Sequence, residues 1–245
     1  MNEGRTADVA LVTGAGHGIG KEVVRQLARR GMTVILTART TEKGEVAAAE
    51  ISGAGLDIRP AALDVTNGES VSKLARWMEE EFGRLDVLVN NAAAFVDWTE
   101  TTLTAELGAA NAVLQTNLFG TWRVSQELLP LIRRSDHGCV VNVSSGAGSH
   151  GDKDFGLTTG GGSVANYGIS KAAINALTSK LAAELEGSGS LVNSVCPGLT
   201  ATAPGMEQMD ARPVREGAAS MVWAATLPDD GPTGGFFRDG EPLPW

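Results

Sequence analysis

Aromatic rings are scarce in this chain, at 5% of 245 residues, and it holds one tyrosine, Tyr167. Its three histidines, His17, His137 and His150, lack metal-ligand spacing, so no metal is expected. The two cysteines, Cys139 and Cys196, fall inside apolar strand-like runs and read as buried thiols, not as a disulfide framework. Positive charge is also in deficit: 20 Lys and Arg stand against 29 Asp and Glu, a net charge of −9. That argues against nucleic acid or an anionic membrane as a partner, since both reward basic surface. No apolar run reaches transmembrane length. The polar start, Met1 to Asp8, lacks the apolar core of a signal peptide, so the cytoplasm is the expected compartment.

What is present suits one α/β domain over residues 1–245, with 42% hydrophobic residues to fill a core. Apolar runs at Val9–Thr13, Thr33–Thr37, Ile58–Leu63, Asp86–Val89, Val140–Ser144, Leu191–Val195 and Gly235–Phe237 read as strands. Helical periodicity fills the gaps: Lys21–Arg30, Thr41–Ser52, Asn67–Phe82, Leu103–Arg134, Tyr167–Glu186 and Val214–Thr226. The long fourth stretch divides near Asn111. Strand–helix alternation predicts a Rossmann-type doubly wound parallel sheet of about seven strands, with helices on both faces.

The first strand runs into Gly14-Ala15-Gly16-His17-Gly18-Ile19-Gly20 and then a helix. That context suits a dinucleotide: glycine lets the backbone approach a pyrophosphate, and the helix start favours negative charge. A plain tight turn would need the same glycines. The second strand ends Ala38-Arg39-Thr40 without an acid. An acid there serves NAD, whereas an arginine suits the 2′-phosphate of NADP. Arg39, with His17 near the same group, therefore points to NADPH; the plainer alternative is a solvated arginine. Asp64-Val65 closes the third strand, and the carboxylate either meets an adenine amino group or caps the next helix. Asn90-Asn91-Ala92-Ala93-Ala94 closes the fourth, where small residues admit a ligand and asparagines hold a turn.

Tyr167 and Lys171 stand four apart on a helix, so phenol and ammonium share a face. The ammonium is expected to lower the phenol's pKa and make it a proton donor and acceptor near neutral pH. A half-buried core tyrosine beside a solvated lysine is the bland alternative. Ser144-Ser145 lies at a strand's carboxyl end, where ligands sit in open α/β sheets. Asn117 lies mid-helix, where its amide competes for backbone bonds; it marks a bend or faces solvent. The glycine-rich stretch from Gly146 to Asn166 reads as a mobile surface loop or lid base.

Together, Thr13 to Gly20, Asp64, Asn90-Asn91-Ala92, Asn117, Ser144-Ser145, Tyr167 to Lys171 and Pro197-Gly198 resemble the short-chain dehydrogenase/reductase family over nearly the whole chain. Thr37-Ala38-Arg39, the lengthened loop before Tyr167 and the tail through Trp245 resemble its carbonyl-reductase-like branch. The resemblance implies that Tyr167 protonates a carbonyl oxygen while hydride leaves a nicotinamide. Ser145 would hold that oxygen, Lys171 the nicotinamide ribose and Asn117 a relay water. Gly14, Gly16, Gly18, Ile19, Gly20, Asn91, Ala92, Pro197, Gly198 and Thr202 complete the implied NADPH site. The substrate would be an apolar ketone or aldehyde, edged by Phe95, Trp98, Phe155, Leu199, Met206 and Met209. Tyr167 follows Ser145 by 22 positions, a modest insertion that suggests a monomer or weak homo-oligomer. An NAD-dependent alcohol oxidation and a non-catalytic nucleotide sensor are the alternatives.

Overall fold

The structure is a computed structural model describing residues 7–51, 53, 55–95 and 97–245. Ser52, expected at a helix end, and most of the polar N-terminal stretch lie outside the described residues. Among the described residues, eight strands share one sheet in the order β3-β2-β1-β4-β5-β6-β7-β8. They are β1 (Val9–Val12), β2 (Thr33–Ala38), β3 (Ile58–Ala62), β4 (Val87–Asn90), β5 (Cys139–Val143), β6 (Leu191–Val195), β7 (Phe236–Arg238) and β8 (Glu241–Pro242). The first seven run parallel and β8 returns antiparallel on β7. The sequence pattern misses β8 because two residues are too few to show a period.

Strand order reverses where β1 meets both β2 and β4. In such sheets the crevice outside the strands' carboxyl ends is where ligands bind. Among the described residues, seven α-helices cover the faces: α1 (Gly18–Ala28), α2 (Thr41–Ile51), α3 (Gly68–Phe82), α4 (Leu107–Leu114), α5 (Thr121–Ile132), α6 (Ala165–Glu184) and α7 (Val214–Ala225). Each central strand is buried on both sides, so two cores form. Val24, Leu27, Val141 and Met221 belong to one, and Leu74, Met78, Leu128 and Leu181 to the other. Burying such a side chain contributes about 1.5–3 kcal/mol.

The long helical stretch breaks later than its sequence suggests. Gln115–Gly120 winds as a π-helix between α4 and α5, so the irregularity surrounds Asn117, not Asn111. Gly146–Asn166 is also more structured than expected. It carries two 3₁₀ turns, and Ser149 and Asp152 are buried. Ser149 Oγ donates to the Pro244 carbonyl at 2.6 Å, while His150 and Gly151 amides reach the Trp245 carbonyl. The C-terminal tail therefore pins the front of this loop.

At the sheet's opposite edge Asp86 is 1% exposed. It accepts from the Val9 amide at 2.7 Å, Ser135 Oγ at 2.6 Å and Arg84 Nε at 3.1 Å. Asp86→Ala strands these donors in the interior, and each lost bond to a charged group costs about 1.5–3 kcal/mol. The expected result is a loss of about 3 kcal/mol or more in denaturant unfolding, with the cofactor site unaltered.

Candidate active site

The glycine loop joins β1 to α1 at the switch point. Gly14 holds φ at +63°, and a Cβ there would stand 2.7 Å from Ala92 Cα. Asn91 fastens the arrangement: its Nδ2 donates to the carbonyls of Thr13 at 2.8 Å and Gly14 at 3.1 Å. Thr13 Oγ1 answers by accepting the Asn91 and Ala92 amides, both at 2.9 Å. Asn91 and Ala92 thus shape the loop. Thr13 is a positioning residue the sequence marked only as part of a motif. His17 is the N-cap of α1 but its side chain makes no cap bond, and the first turn carries no acid. Among the described residues, the positive helix end and its amides are left without a protein anion, as a pyrophosphate requires.

Arg39 is exposed beyond β2, close enough to Asp64 to help lower its pKa. The main cause of that lowering is Thr66, whose hydroxyl and amide both donate to Asp64 Oδ1. The α3 cap is Asn67, which accepts from Ser70 at 3.1 Å, so Asp64 is not the cap. Val65, after it, is buried. Ile19 and Thr202 both line the cavity described below.

Helix α6 brings Tyr167 and Lys171 to the carboxyl edge. Its N-cap, Val164, has a left-handed φ of 58° and offers no side-chain cap. Glu100 serves instead: its carboxylate accepts from the Asn166 amide at 2.8 Å and from Asn166 Nδ2 at 2.6 Å. Acid at a helix start is favourable, and here it ties the loop after β4 to the helix. The two adjacent serines diverge. Ser144 is buried and donates to the Lys171 carbonyl at 3.3 Å, whereas Ser145 lines the cavity and hydrogen-bonds Tyr167.

Lys171 is 2% exposed. Its Nζ donates to the Val143 carbonyl at 2.6 Å and lies 5.2 Å from the Tyr167 ring centroid. Burial lowers its pKa to about 8. The expected lowering at Tyr167 is reversed. Burial pushes the half-buried phenol up, the Cys196 sulfur beside it adds to the rise, and the Ser145 bond only partly offsets both. Spacing alone showed the neighbouring cation but not the depth of the site.

Asn117 is fully buried, so it marks a bend and does not face solvent. Its Oδ1 accepts the Ala94 amide at 2.7 Å, and its Nδ2 donates to the Ala94 carbonyl and to Ser170 Oγ at 2.9 Å. Ser170 Oγ donates to the Tyr167 carbonyl at 2.7 Å. Asn117 therefore links the π turn, the loop after β4 and the Tyr167 backbone.

A cavity of about 680 Å³ opens over Ser145 and Tyr167. Its wall includes Phe95, Trp98, Phe155, Leu199 and Met206, as anticipated. Met209 is not in that wall; it is 56% exposed at the end of a 3₁₀ turn. Phe95 lies 5.0 Å from the Tyr167 ring in an edge contact. Pro197 and Gly198 form the rim, where the Pro197 carbonyl accepts from Arg212 Nε at 2.6 Å. Arg238 reaches the same cavity from the tail and was not anticipated.

The short chain dehydrogenase family model matches residues 8–213. Carbonyl reductase (NADPH) 1 of Mus musculus is 34% identical, covering 97% of this chain and 98% of that protein. Carbonyl reductase (NADPH) 3 of Rattus norvegicus is 35% identical over 94% and 96%. A short chain dehydrogenase from Shigella flexneri, solved in complex with NADP, superposes with a TM-score of 0.82 at 29% identity, covering 94% of this chain and 96% of that one. This chain belongs to the short-chain dehydrogenase/reductase family, on its carbonyl-reductase-like side.

Proposed function

We propose that this oxidoreductase reduces a ketone or aldehyde with NADPH, using Tyr167 as the proton donor. One observation carries the proposal: a phenol bonded to Ser145, beside a buried lysine, sits in an apolar cavity on the same sheet edge as an anion-ready glycine loop. The NADP-bound structural relative and the NADPH reductases among the sequence relatives support the cofactor choice.

Gly14, Gly16, Gly18, Ile19 and Gly20 would carry the pyrophosphate, Arg39 and His17 the 2′-phosphate, and Asp64 and Val65 the adenine. Asn91, Ala92, Pro197, Gly198 and Thr202 would frame the nicotinamide half, with Lys171 on its ribose. When bound, the nicotinamide supplies the hydride. Ser145 Oγ hydrogen-bonds the substrate oxygen and sets it against the phenol. Tyr167 keeps its proton until charge builds on that oxygen, then passes it across. The raised pKa keeps the donor loaded at physiological pH. Lys171, held over the ring, stabilises the phenolate left behind. Asn117 fixes the helix turn beneath Tyr167 through Ser170, and a water beside it would return the proton from solvent. The apolar wall keeps competing water away.

Depletion of NADPH absorbance across a ketone panel tests the activity. NADPH binding without reduction of any ketone would favour a sensor. Arg39→Ala tests the cofactor assignment. Loss of charge-assisted bonds worth about 1.5–3 kcal/mol raises the NADPH Kd by about tenfold to a hundredfold. NADH affinity stays within about twofold, since no 2′-phosphate is involved. Equal weakening of both nucleotides would refute the assignment and reopen the NAD-dependent oxidative alternative.

A further inference from the structure

Tyr167 is the third residue of α6, and the entry to that helix is poorly held by its own chain. The approach runs through Gly160, Gly161 and Gly162, all with positive φ. A Cβ on either of the last two would meet open space. Val164, the N-cap, has a left-handed φ of 58° and supplies no side-chain bond. A β-branched residue in that region is strained and persists only where its surroundings fix it.

Another segment does the fixing. Glu100, on the loop after β4, offers three acceptors to the helix start. Its carbonyl takes the Ala165 amide at 3.4 Å. Oε1 takes the Asn166 amide at 2.8 Å, and Oε2 takes Asn166 Nδ2 at 2.6 Å. Asn166 is 6% exposed, so water has little access to compete for the pair. On the other side of Tyr167, Ser170 Oγ donates to the Tyr167 carbonyl, and Asn117 Nδ2 donates to Ser170 Oγ. The backbone that carries the phenol is therefore fastened before and after. The loop after β4 also meets the ring itself. Phe95 lies edge-on to Tyr167 at 5.0 Å, and Trp98 lies 4.6 Å from Phe95. One contact on the backbone and one on the ring thus bind this wall to the proposed proton donor.

We infer that Glu100 is a positioning residue: through Asn166 it sets where Tyr167 stands, and it couples that placement to the Phe95 and Trp98 wall. It takes no step in the chemistry. Its kinetic consequence rests on the reductase proposal above.

Exchanging donor and acceptor tests the link. Asn166→Asp alone sets carboxylate against carboxylate and removes the Nδ2 bond. An acid in the first turn suits the helix dipole, which guards the fold. Adding Glu100→Gln restores the bond in reverse: the new side-chain amide donates to the new carboxylate, and the backbone amide at 166 keeps an acceptor. Glu100→Ala removes both side-chain acceptors. In each single variant kcat for a ketone is expected to fall about tenfold, in keeping with a reacting group misplaced by less than about 1 Å. NADPH Kd stays within about threefold. The double variant regains kcat to within about threefold of wild type. A second readout is independent of turnover. Tyr167 is the only tyrosine, so 3-fluorotyrosine labelling of the full chain gives one ¹⁹F resonance that reports its surroundings. That resonance moves in both single variants and returns in the double variant. If both single variants keep kcat within about twofold, Glu100 is only a helix cap. If the double variant recovers neither kcat nor the resonance, the link through Asn166 is wrong. If the wild type reduces no ketone, the reductase proposal fails by itself, and the resonance alone decides whether Glu100 places Tyr167.

Discussion

Tyr167→Phe is expected to lower kcat/KM for ketone reduction by about a thousandfold or more, within the usual range of a positioned acid. NADPH binding should stay within about threefold. The change removes one oxygen and leaves the ring, its edge contact with Phe95 and its neighbouring cation in place. It also frees Ser145 from its bond to the phenol. Packing around the ring is retained, so unfolding should shift by no more than about 1 kcal/mol. Stopped-flow mixing of the NADPH complex with ketone would show the defect in the chemical step. A variant that kept near-wild-type turnover would remove Tyr167 from the chemistry.

Lys171 separates activity from stability. Burial holds its pKa near 8, below the ordinary 10.5. The cation that is proposed to hold the ribose therefore discharges as pH rises through about 8. NADPH affinity, followed by fluorescence titration, is expected to fall across that interval. A nucleotide phosphate titrates near pH 6 and cannot supply a step there. For folding the sign is opposite. Between about 8 and 10.5 the unfolded chain keeps a proton that the folded chain has shed, so this group adds stability as pH climbs. Lys171→Met should abolish the binding step, lower kcat/KM by about a hundredfold or more, and leave Tm at neutral pH unchanged or higher. A lower Tm, or an unaltered pH profile, would count against the assignment.

Much of this was legible from residue order. Strand–glycine–helix context located the turn between β1 and α1, and hydrophobic runs located seven of the eight described strands, because local pattern dictates both. Long-range partners were not legible. Asn117 looked like a helix defect since its partners Ala94 and Ser170 lie 23 and 53 positions away. Arg238 looked like a tail residue because Asp152 is 86 positions distant. The rise in the Tyr167 pKa depends on how deeply the site is enclosed, which a four-residue spacing does not encode.

The groups proposed to react and the walls around them are built from different stock. Ser145 follows β5, and Tyr167 and Lys171 ride one helix, α6, against the sheet. The enclosure comes from Phe95, Trp98 and Thr102, from the loop at 154–164 and from residues between 199 and 206, with the tail clasping the start of the middle loop through Pro244 and Trp245. Remodelling the border at 199–206 leaves the Lys171–Val143 and Ser170–Tyr167 bonds intact, whereas the loop after β4 also holds the start of α6 through Glu100. Selection can therefore retune which molecules enter at that border while the proposed chemistry is kept.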